Sequence, residues 1–234
     1  MKRRILLWLV LSAILVPTLA DNGETLRKSY REWTEEEAVW VLNESPWARR
    51  ETFTQVVEGV GSGVRGEREL FSTYFVRFLS APPIRQAYVR VRQLQNGYAG
   101  MGDVERRDFD RGSRRLLDLD VRRWIVISLA FRSNEPDREL RFKQHFQVQT
   151  VETLRRTTAL STRLFPKLEP VAYFPPAEDG VGARFVFPRR VDGVEVISPD
   201  DETVSFEIEV PVATPRLRSQ FQVQEMKLGG RLLH

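Results

Sequence analysis

Residues 124–131 read WIVISLAF, an apolar run in which only Ser128 is polar. The run has strand length and is rich in β-branched and aromatic residues, and it leaves no wet side. It therefore predicts a central strand covered on both faces. Everything else in the chain has to be arranged so that this strand is enclosed. With 234 residues, 41% of them hydrophobic and 29% charged, the chain can build one sizeable core, and a single domain is expected. Its mean hydropathy of −0.36 excludes long disorder, collagen-like repeats and a polytopic membrane protein.

The N-terminus is a different kind of sequence. Lys2, Arg3 and Arg4 are cationic, residues 5–16 are apolar, and Thr18-Leu19-Ala20 offers small residues for cleavage. That is the pattern of a secretory signal peptide. An uncleaved anchor would need about 20 apolar residues to span a bilayer, more than the run supplies. The expected organisation is a signal peptide over 1–20, an N-terminal helix and glycine-rich loop over 21–70 docking on the core, and one α+β domain over 71–234. The expected location is outside the cytoplasm, periplasmic or secreted after cleavage near Ala20.

The leader also explains the basic character. Of 36 Lys and Arg, three lie in the leader, which carries none of the 32 Asp and Glu, so the remaining chain stands at +1. The pI of 9.6 is thus no sign of a nucleic-acid footprint, and no nucleic-acid partner is expected. Cysteine is absent. Its absence excludes thiol nucleophiles, thiolate zinc sites and iron–sulfur clusters, and it fits an oxidising compartment in which no disulfide is used.

Along the chain, Thr34 and Glu37 form a capping box and predict a helix over 34–42 that ends before Pro46. Trp33, Trp40 and Trp47 recur at intervals of seven. They read as indoles docking the N-terminal segment on the body, or alternatively as an aromatic carbohydrate platform, which would need at least two exposed coplanar rings. Residues 52–69 contain Gly59, Gly61, Gly63 and Gly66 and read as a loop. The GxGxxG match at 61–66 lacks a following helix and an acidic residue at the ribose distance, so a dinucleotide site is rejected. A strand is expected over 71–79. A helix opened by Pro82 and Pro83 follows and stops at Asn96-Gly97, and a second helix covers 104–119 with Phe109, Leu116 and Leu117 inward. Residues 140–154 are ambiguous and read as a strand passing into a short helix. From 157 onward the chain alternates strands and turns, most clearly at Val204, Phe206, Ile208 and Val210. The fold class expected is α+β: an antiparallel β-sandwich-like sheet, a two-helix insertion after the first core strand, and a short N-terminal helix.

The residue inventory restricts chemistry further. Only His145 and His234 carry imidazole, which argues against a histidine triad or a multi-histidine metal site. His145 reads as structural and His234, the last residue given, as frayed. Asp179, Asp192, Asp200, Asp201 and Glu202 are the acids available to a paired-carboxylate hydrolase or a calcium site, but all lie where turn chemistry already calls for Asp.

Asn43-Glu44-Ser45-Pro46-Trp47-Ala48, the block from Ser80 to Ala87 (SAPPIRQA) and that from Gly182 to Arg189 (GARFVFPR) resemble blocks recurring in a family of exported bacterial proteins of unknown function. The resemblance implies a signal peptide and a similar α+β body, and it brings no activity, ligand or catalytic residue. The sequence points to a non-enzymatic exported protein, a binding or envelope-associated accessory domain, with a carboxylate-dependent hydrolase of a glycan or cell-wall polymer as the alternative. No cofactor, no metal and no catalytic residue is assigned. An unknown envelope protein or glycan is the expected partner, met through Trp47, Arg85, Arg90 and Arg92, and the three arginines also allow peripheral membrane contact.

Overall fold

The computed structural model describes residues 22–58, 67–210, 212, 214 and 216–234. The leader and the glycines at 59–66 lie outside the described residues. In chain order the elements are α1 (Asn22–Thr25), α2 (Glu35–Glu44), β1 (Ala48–Glu58), β2 (Glu67–Phe78), α3 (Pro82–Gln95), α4 (Asp103–Leu117) and β3 (Trp124–Ser133). Then follow α5 (Pro136–Gln147), α6 (Val151–Leu154), β4 (Thr158–Ser161), β5 (Ala172–Phe174), β6 (Ala183–Pro188), β7 (Arg190–Val191) and β8 (Val194–Glu195). The chain closes with β9 (Thr203–Glu209), β10 (Arg216–Gln222), β11 (Lys227–Leu228) and β12 (Arg231–Leu232).

Five strands form the main antiparallel sheet in the order β1-β2-β3-β6-β5, with β3 at its centre as its apolar sequence requires. Register puts Val76 beside Leu129 and Ile127 beside Phe185, so every second residue of β2, β3 and β6 points to one face. That inner face packs on a second sheet, β10-β9-β4, through Phe185 against Phe206 at 5.4 Å and Phe78 against Phe221 at 4.8 Å. Helix α5 extends the same core, with Phe142 stacked on Phe131 at 5.0 Å and Phe146 4.7 Å from Phe142. The outer face of the main sheet carries Arg77, Val126, Ser128, Arg184 and Val186, and α2, α3 and α4 lie on that side. The protein is therefore α+β, with a sandwich-like arrangement of antiparallel sheets and helices on the back of the larger one.

Several expectations change. Residues 52–58 and 67–69 are not loop but the far half of the β1–β2 hairpin. β1 was hidden because, as the sheet's edge, it exposes Thr52, Thr54, Gln55 and Val56 and so lacks a buried alternation. The hairpin belongs to the main sheet, so the stretch 21–70 is not merely docked on it; the two-helix insertion does follow the strand expected over 71–79, which is β2. Residues 136–147 are helical, not extended. Pro136 suits the first helical position, and Phe142 and Phe146, four apart, share the buried face, whereas Leu140 and Val148, which a strand would bury, are exposed. His234 is not frayed. It is buried at 7% exposure, and the Arg189 guanidinium donates both to its main-chain oxygen and to Nε2.

Candidate functional site

The three tryptophans and three arginines singled out by sequence divide sharply. Trp33 and Trp47 are fully buried, their indole N–H groups donating to the carbonyls of Thr25 at 2.8 Å and Leu233 at 2.6 Å, and Trp40 is half-buried. No coplanar exposed pair exists among them, and Trp47 offers no surface to a partner. Arg85, 6% exposed, donates to the carbonyl of Leu119, and burial lowers its pKa against a weaker opposing pull from Asp118. Arg90 donates to the carbonyl of Trp33 at 2.6 Å and so ties α3 to the N-terminal segment. Only Arg92 is exposed without a carboxylate, and it sits at the rim of a cleft.

That cleft, about 480 Å³, lies between α3 and α4 on one side and the outer face of β3, β6 and β5 on the other. It exists because α4 cannot seal the sheet. The sequence DVERRDFDRGSRRLL has few apolar residues, and Phe109, Leu116 and Leu117, expected inward, are only half-buried. Halfway along the facing side stands Gly112, whose position leaves nothing within 4 Å of a Cβ. A helix-interior glycine costs roughly 1 kcal/mol relative to alanine, and here the missing side chain leaves the space open.

The floor is apolar: Leu79, Val126, Val181 and Val186 below, Leu116 and Leu119 from the α4 side, and Phe174, 53% exposed, at the mouth. Tyr88 is the polar group of the floor, and its hydroxyl is already committed, accepting from Arg77 Nη1 at 2.8 Å and donating to the Val181 carbonyl at 3.4 Å. Behind it Arg77 is buried with neutral acceptors only, the Leu42 carbonyl at 2.6 Å and Asn43 Oδ1 at 2.8 Å, and its guanidinium lies 5.4 Å from the Tyr88 ring. Two buried cations, Arg77 and Arg85, thus stand behind the cleft. Three more, Arg92, Arg115 and Arg184, line it, against the single carboxylate Asp179. Asp179 is spent on Arg184 and on the Val181 backbone N–H. Arg92 and Arg115 have no carboxylate partner among the described residues; Arg92 only approaches the Phe109 ring at 5.8 Å.

The remaining acids do not converge. Asp192 occupies a turn at φ 51°. Asp201 is buried, accepting from the Ser198 N–H at 2.8 Å and facing Arg163 Nε at 3.5 Å. No group of three or more His, Asp or Glu able to hold a metal occurs among the described residues, so Asp200, Asp201 and Glu202 do not assemble a calcium site. His145 stands edge-on to Phe146 on α5, partly buried, and that burial lowers its pKa. It lines a separate depression beside Glu209, away from the cleft. Of two further depressions, one has Glu178 paired with Lys143, and the other is lined by Arg122, Arg123, Arg189 and Arg190 with Glu195 alone, which pairs with Arg190.

Comparison with protein-family models, curated proteins and solved structures found no match to the chain. Sequence reasoning had Arg92 but missed Arg115, Arg184 and Gly112. The glycine in the middle of the helical pattern of α4 was the available signal.

Proposed function

We propose that this protein is exported and acts by binding, as an envelope-associated accessory rather than as an enzyme, and that the cleft beneath α4 is where it holds its ligand. The observation carrying this reading is an apolar-floored cleft whose one lining carboxylate is held by Arg184, with no pair of free acids among its described lining residues. A carboxylate-dependent hydrolase needs acids free to exchange protons at a reacting atom, and Asp179 is held by Arg184. The cationic leader with its apolar run and small-residue site supports export, as does the absence of cysteine.

The test uses the 234-residue chain and an apolar fluorophore that brightens out of water. Saturable one-to-one binding is expected, lost in Gly112→Trp, which fills the cleft from an unstrained helical position, while the melting temperature stays within a few degrees. Binding that survives Gly112→Trp overturns the cleft as the ligand site. Turnover of a purified envelope glycan, abolished by Asp179→Asn, overturns the non-enzymatic reading.

A further inference from the structure

We infer that the ligand of this cleft is a single-chain anionic amphiphile of the fatty-acid type, its hydrocarbon tail on the Val126–Val186 floor and its carboxylate between Arg92 and Arg115. The inference rests on the cleft being the binding site and adds the chemistry of what fills it. Two features select that chemistry. The first is the floor. It presents methyl and methylene groups, and the Tyr88 hydroxyl is already paired on both sides. A peptide or sugar lowered onto it would lose its water hydrogen bonds and find no replacements, a cost that a hydrocarbon tail does not meet.

The second is the charge. Arg92 on α3 and Arg115 on α4 flank the cleft with no carboxylate partner among the described residues, while Arg184 is neutralised by Asp179. Arg77, buried behind with carbonyl, amide and hydroxyl acceptors only, adds positive potential where solvent screens least, while the charge of buried Arg85 is partly offset by Asp118. An uncharged or cationic head would leave the rim guanidinia unmatched, whereas a carboxylate can take charge-assisted hydrogen bonds from one or both. Gly112 lies one helical turn before Leu116 on the wall above the tail, and its lack of a side chain leaves the width a chain needs.

The experiment is calorimetric titration of the 234-residue chain, below the micelle threshold, with dodecanoate, with dodecanol as the neutral chain of equal length, and with acetate as the head alone. Dodecanoate is expected to bind one-to-one at least about tenfold more tightly than dodecanol, with acetate not bound, and the preference is expected to weaken as salt rises. Arg92→Met with Arg115→Met keeps side-chain length and should remove the preference, so that the variant binds dodecanoate no more tightly than it binds dodecanol. Equal binding of the two chains, or a preference unaffected by the double substitution, overturns the assignment of the head while leaving the cleft intact. Dodecanoate binding unaffected by Gly112→Trp overturns both the ligand and the cleft. A melting curve for each variant separates loss of binding from loss of fold, and Arg92→Lys with Arg115→Lys, which retains the charge, should keep part of the preference.

Discussion

Among the described glycines, Gly182 is the one where a Cβ would collide with backbone. Its φ is +92°, and a Cβ there would stand 2.2 Å from the carbonyl oxygen of Leu129, a backbone atom of the central strand that cannot swing aside. Gly180, two positions earlier, also has positive φ, at +73°, but opens on empty space. The pair separates conformational strain from collision. Gly180→Ala should cost about 1 kcal/mol and Gly182→Ala roughly 3 kcal/mol or more, read as a melting temperature several degrees lower for the second than for the first. Equal losses would mean that the loop can retreat from β3. The turn at Asp179-Gly180 was legible from its residue types, whereas the demand at Gly182 was not, because it comes from a carbonyl on another strand. The same holds for the rim of the cleft, where Arg115 and Arg184 look like ordinary surface charges until the fold places them together.

At the scale of elements, legibility followed local chemistry. Helix α2 begins where Thr34 and Glu37 close a reciprocal capping box, Thr34 Oγ1 accepting from the Glu37 N–H at 3.2 Å and Glu37 Oε2 from the Thr34 N–H at 2.8 Å. Glu37 is held by Lys28 as well, which is the first cause of its lowered pKa, followed by the Thr34 N–H. Thr34→Ala should destabilise by about 1 kcal/mol in denaturant titration, and Thr34→Ser by a few tenths at most. Helix α3 was equally plain, opened by its prolines and stopped at Gly97 with φ +64°. Elements that failed to show are those whose partner lies elsewhere. β1 takes its strand character from pairing with β2 along its length, not from its own pattern. α5 offers Phe142 and Phe146 equally to a period of two or of four, and only Pro136 and the aromatic cluster on β2 and β3 decide. α4 was expected where it lies, yet its failure to close on the sheet, which creates the cleft, reflects what is missing from its inner face.

For the whole molecule, the clasp at the end of the sequence sets a pH dependence. A guanidinium can only donate, so Arg189 Nη1 at 2.9 Å from His234 Nε2 fixes that nitrogen as acceptor and puts the ring proton on Nδ1, which is buried without a partner. Burial, and secondarily the Arg189 charge, push the imidazole down from 6.5 to about 3. Its folded form therefore stays neutral while the unfolded chain takes up a proton below 6.5, so stability is full above that value and falls as pH drops from 6.5 toward 3. The loss should approach about 2 kcal/mol by pH 5. His145, also lowered by burial, adds in the same direction. Urea midpoints measured at pH 7.5, 6 and 5 should decline in the native protein and decline less in His234→Gln; identical slopes would show that this imidazole titrates freely when folded.

The indole of Trp47, bonded to the carbonyl of Leu233, joins residues 186 positions apart. Such a closure belongs to the slow, non-local end of assembly, since the bond cannot form until nearly every intervening residue has been made and released. A chain threading outward through a membrane pore would have to cross with this knot untied. The indole N–H of Trp47 would then go without its acceptor until Leu233 arrived.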